Sequence, residues 1–118
     1  MEKIVLNPEE ITFDNVKKYL NDLFYEIRNV WNTAEVNDEG KDLLADCLDG
    51  APEGILGVQL LMGHLTGSTF SLVTDPNTGK RDYVKDEPVD PKTIYEQASQ
   101  LIDFINDVLE KYKRNKTL

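Results

Sequence analysis

A chain of 118 residues, 40% hydrophobic and 30% charged, has the size and balance of one ordinary globular domain rather than a disordered segment. No apolar run approaches the ~20 residues of a membrane span, and a single cysteine, Cys47, excludes both an internal disulfide and a multi-cysteine zinc site. The formal net charge of -9 excludes phosphate backbones and anionic membranes as natural partners, because such a field repels them.

The opening MEKIVLNPEE lacks the layout of a secretory signal, which together with the lone cysteine leads us to expect a cytoplasmic protein. Within it, KIVL reads as a short strand stopped by Asn7-Pro8. A long amphipathic helix follows. Its apolar stripe is Val16, Leu20, Leu23, Phe24, Ile27, Val30 and Trp31, with Asp14 as the expected N-cap. Asn37 to Gly40 breaks the pattern before a second, short helix, KDLLADCLD, which ends at Gly50 with Pro52 blocking continuation.

Residues 53–65, EGILGVQLLMGHL, are apolar almost all round and predict a buried third helix, weakened by its glycines. STFSLVTD and RDYVKDE then flank a turn, Asp75-Pro-Asn-Thr-Gly79, which predicts a β-hairpin. Asp90-Pro91 opens a last helix with Ile94, Ala98, Leu101, Ile102, Ile105, Val108, Leu109 and Tyr112 on one face. The final EKYKRNKTL is a short basic tail, expected to fray. The predicted fold is therefore α+β and mainly helical: one domain over residues 1–118, an antiparallel bundle of about four helices. A β-hairpin is inserted before the last helix, and a short N-terminal strand is free to join it as a third strand. The first and last helices should pack antiparallel, with the third between them.

Three clusters carry candidate chemistry. GHLTGST, residues 63–69, gathers the one histidine with hydroxyls, but it is one residue short of a P-loop and has Ser68 where the lysine belongs. A ligand pocket or nucleophilic corner there would use His64, Thr66, Ser68 and, across the hairpin, Tyr83. The simpler reading is punctuation between helix and strand. Read from Glu35, the segment EVNDEGKDLLAD offers Glu35, Asn37, Glu39 and Asp46 with Gly40 between, an EF-hand-like pattern weakened by Asp42 at a normally apolar position. A polar helix connection with an N-cap is the preferred reading, so no metal or other cofactor is assigned.

The third cluster is the acidic stretch itself. Residues 1–60 hold 13 acids against 5 bases, and residues 35–53 alone hold seven acids and one lysine. Glu35, Asp38, Glu39, Asp42, Asp46, Asp49 and Glu53 form the expected partner-binding face, since Asp42, Asp46 and Asp49 recur at helical spacing. The functional expectation is a non-enzymatic acidic protein-binding module of the inhibitor, immunity or antidefence kind. It would engage a basic surface of a partner, for example that of a nucleic-acid-binding protein. The alternatives are an oligomeric, phage-like assembly protein whose surplus apolar stripes pair in a homodimer, and a small-ligand binder with a pocket near His64.

Overall fold

A computed structural model describes residues 1–114. Those residues form four helices and one hairpin: α1 (Phe13–Thr33), α2 (Asp38–Asp49), α3 (Val58–Thr66), β1 (Phe70–Thr74), β2 (Arg81–Lys85) and α4 (Pro91–Lys111). The mainly helical α+β architecture, with the hairpin just before the last helix, is the one expected. The core is built from the predicted stripes. Leu20, Leu23, Ile27, Leu44, Leu61, Leu65, Ile94, Leu101, Ile102 and Ile105 are all sealed from solvent.

Local signals start and stop most elements. Asp90 caps α4, accepting a hydrogen bond from the Thr93 backbone N–H at 3.0 Å, with Pro91 in the first turn. Asn37 caps α2, its Oδ1 accepting from the Gly40 N–H at 2.9 Å. For α1 the cap is Thr12, whose hydroxyl accepts from the Asn15 N–H at 3.2 Å. Asp14, the expected cap, lies inside the first turn instead, where its charge faces the positive end of the helix dipole.

The third helix begins later than its hydropathy implies. Pro52–Gly54 form a 3-10 turn with Glu53 at φ 47°, and α3 starts only at Val58. The cause is a close approach. The Gly57 N–H donates to the Gly50 carbonyl, and a Cβ on Gly57 would stand 2.8 Å from the Asp46 carbonyl oxygen. The glycines here close a loop against the end of α2.

The first and last helices run parallel, not antiparallel. Tyr19 and Tyr95, both early in their helices, have ring centroids 5.8 Å apart. Beyond their other ends, Val36 bridges Lys113, and the Asn37 N–H donates to the Tyr112 carbonyl at 2.9 Å. The antiparallel partner of both is α2: the Lys41 ammonium bonds the Trp31 carbonyl at the end of α1, and Gly40 lies against Tyr112 at the end of α4. That last approach needs glycine, because a Cβ would meet the Tyr112 Cβ at 2.8 Å. Residues 112–114 are thus drawn into this contact, while the end of the basic tail, 115–118, lies outside the described residues.

The predicted N-terminal strand is absent from the sheet, which has two strands. Residues 1–6 instead lie along α4. The N-terminal ammonium donates to Asn106 Oδ1 at 2.6 Å, Lys3 pairs with Asp103 at 2.8 Å, and the Leu6 N–H donates to the Tyr95 hydroxyl at 3.1 Å. Tyr95 to Asn106 spans about 17 Å of helix, the length that the extended stretch from Met1 to Leu6 covers. The segment is held on a helix surface through groups at Met1, Lys3, Ile4 and Leu6 rather than by strand pairing.

A candidate protein-contact surface on the hairpin and the second helix

The hairpin pairs antiparallel, with Phe70 opposite Lys85, Leu72 opposite Tyr83 and Thr74 opposite Arg81. Its turn is the expected one. Asp75 Oδ1 accepts from the Asn77 N–H at 2.8 Å, and Gly79 takes φ 71°. Every residue of both strands is exposed, and neither strand packs extensively on a helix. Residues directly opposite share a face. One face therefore carries Phe70, Leu72 and Tyr83 with Arg81 and Lys85, and the other carries Val73 and Val84 with Ser71 and Asp82. Tyr83 is 75% and Phe70 61% exposed.

The arm stands off the body, and the molecule's shape agrees with this. The radius of gyration is 16.9 Å, where a compact chain of this length has about 13–14 Å.

The GHLTGST corner is the root of this arm. Gly67 adopts φ 69° to end α3, and a Cβ there would strike Pro88 at 2.8 Å. The His64 carbonyl accepts from the Val89 N–H at 2.8 Å. Asp86 accepts from the hydroxyls of Ser71 at 2.6 Å and Thr69 at 2.8 Å. Those hydrogen bonds, Ser71 first and then Thr69, hold its carboxyl below the usual aspartate range, with a smaller contribution from His64. Thr66 and Ser68 bond each other at 2.7 Å, and Thr66 also donates to the Met62 carbonyl at 3.0 Å. Three of the four residues read as a pocket thus sit at the arm's root, Thr66 and Ser68 with their hydroxyls engaged and His64 through its backbone carbonyl. Tyr83 lies out on the arm.

The acidic residues divide by position. At 100° per residue, Asp38, Glu39, Asp42, Asp46 and Asp49 fall within a wedge of about 100° on α2, opposite the buried Gly40, Leu44 and Cys47. Glu35 lies before the helix, its carbonyl accepting from the Arg114 N–H at 2.8 Å, and Glu53 lies beyond it in the 3-10 turn. The helix also disposes of the calcium-loop pattern. From Asp38 onward the segment is helical, so Glu39 and Asp46 are strung about 10 Å apart along the axis while Asn37 spends its oxygen on the cap. Among the described residues, no group of three acidic, histidine or cysteine side chains converges on a metal-sized point.

One edge of the acidic wedge borders a groove. Asp38, Asp42, Ala45 and Asp49 form a row at steps of four, three and four along α2. Ala45, Leu48 and Asp49 face Phe24, Arg28, Trp31 and Asn32 of α1 across a cleft of about 310 Å³. Trp31 is 38% exposed and carries the Lys41 ammonium 5.2 Å from its ring centroid. Burial, aided by the charge of Asp46, pushes the Cys47 thiol up to about 12, so it is inert packing rather than a nucleophile.

No protein family, curated protein or solved structure matches the chain. No helix among the described residues is long and apolar enough to cross a membrane.

The sequence reading missed Phe70, Leu72, Arg81 and Lys85 as surface candidates. Their alternation was visible, but a period of two says which residues share a face and not whether that face is covered.

Proposed function

We propose that this chain is a protein-interaction module whose contact element is the projecting hairpin, and that it is not an enzyme. One observation carries the reading: both faces of β1 and β2 are open, with five large apolar side chains among ten exposed residues. A two-stranded hairpin without a third strand or a helix behind it is marginally stable in water. Covering its side chains would recover roughly 1–2 kcal/mol for each large one, since they are half to three-quarters exposed. A partner that binds the arm therefore also orders it. A photo-crosslinking residue placed at Tyr83 and expressed in the native host should give a discrete adduct, while the same residue at Glu96 on the body should not. An arm position that yields no adduct beyond the body control would defeat the reading.

A second reading, capture of a basic partner of the inhibitor type, is favoured by the five acids sharing one side of α2. A field of one sign steers oppositely charged partners and raises encounter rates. Reversal of Asp42, Asp46 and Asp49 to lysine should abolish that capture while the helical signal persists; capture that survives the reversal would refute it.

A further inference from the structure

We infer that the occupant of the arm is a second copy of this chain: the Phe70–Leu72–Tyr83 face of one copy seats in the groove between α1 and α2 of another. The inference rests on the arm being a contact element, and it adds who the partner is.

Complementarity of charge and shape within one sequence carries it. The arm's aromatic face is bounded by Arg81 and Lys85, two basic side chains in a chain of net charge -9. The groove offers an apolar floor of Phe24, Ala45 and Leu48 with the exposed Trp31 ring; Asp49 lines its α2 side, and Asp42 and Asp38 continue the same row along α2 beyond it. Arg28 is the one basic group among its lining residues, and Lys41 is already held over Trp31. A basic aromatic strand face thus meets apolar ground with Asp49 in its α2 wall and Asp42 and Asp38 further along the same row, the pattern of a contact whose charges set register.

The dimensions agree. Phe24 to Trp31 extends about 10 Å along α1, and the step from Phe70 to Leu72 is about 7 Å along a strand, so the apolar stripe fits within the groove's length. Stacking two arms face to face with β2 over β2 would instead oppose Arg81 and Lys85 of one copy with the same residues of the other. That arrangement repels.

Arm and groove are different surfaces, so each can be disabled separately. An arm variant, Arg81→Glu with Lys85→Glu, and a groove variant, Asp42→Lys with Asp49→Lys, alter exposed positions only. Their folding is checked by helical circular dichroism and melting temperature. In sedimentation velocity the unaltered protein should associate as concentration rises, and each variant alone should remain a monomer. An equimolar mixture should regain association, because one intact arm then meets one intact groove. A crosslinker at Tyr83 in the purified protein should give a species of twice the chain mass, with the adduct mapping to residues 24–49.

An unaltered protein that is monomeric at every concentration overturns the inference. So does a groove variant that still associates, or a mixture that stays monomeric. If the crosslinker in the host joins a different protein, the second copy is wrong and the interaction reading survives; if it joins nothing, both fall.

Discussion

The four-helix body and the hairpin arm use the same kinds of side chain to opposite ends. In the body, Leu20, Leu61 and Ile102 from three helices are sealed together within one core. In the arm, Phe70, Leu72 and Tyr83 lie on a regular, well-paired ladder and remain in water. Backbone pairing and apolar patterning are equally sound in both regions. What differs is whether a second layer covers the face, so the pattern alone does not distinguish a core from a contact surface.

The contrast can be broken most forcefully in the core. Leu61→Ala should cost about 2–5 kcal/mol in urea unfolding, because the cavity it leaves is lined by fixed neighbours. Tyr83→Ser on the arm should change the same measurement by no more than about 0.5 kcal/mol, as an exposed substitution in an element that contributes little to global stability. Comparable losses at the two positions would mean that the arm folds as part of the body.

The junction is the next place to press. Gly67→Ala forces a side chain into φ 69° and against Pro88, and should cost roughly 1–3 kcal/mol. It should also shift amide resonances in both α3 and β1, visible in a heteronuclear NMR spectrum. Asn37→Ala removes the cap of α2 and should cost about 1 kcal/mol by thermal denaturation, confined to the body.

The smallest effect expected is on the arm's root. Asp86 has its folded pKa lowered by Ser71 and Thr69, so its contribution is present above the unfolded value. It is lost as the pH falls through the folded one. Acidification below its ordinary value of 3.8 should therefore loosen the root, seen as a reduced protection factor for the Asp86 amide, which donates to the Thr69 carbonyl. Asp86→Asn should remove that acid dependence while the exchange of α4 amides stays unchanged.

Much of this molecule was legible locally. The apolar steps of the long helices, the Asp90-Pro91 start, the Asp75–Gly79 turn and the glycine stop at Gly67 all act within a few residues, and each appears where its chemistry places it. The acidic concentration was equally plain, and helical spacing alone predicted that Asp42, Asp46 and Asp49 share a side. The candidate pocket was less legible. Hydroxyls near a histidine look alike whether they line a cavity or, as at Thr66 and Ser68, bond one another at the root of a hairpin.

By itself, then, the sequence determined the four helices and the hairpin, the Asp90 cap and the glycine stops at Gly50 and Gly67, the core-forming residues and the distribution of charge, because these depend on periodicity and on neighbours within about one helical turn. The tertiary structure decided the rest. Contacts between residues far apart in the chain made α1 and α4 parallel, laid residues 1–6 along α4 and held α2 with its acids beside an apolar groove. Those same contacts left the hairpin uncovered. A period of two states which residues share a face, and only the packing of the whole chain states whether anything lies against it.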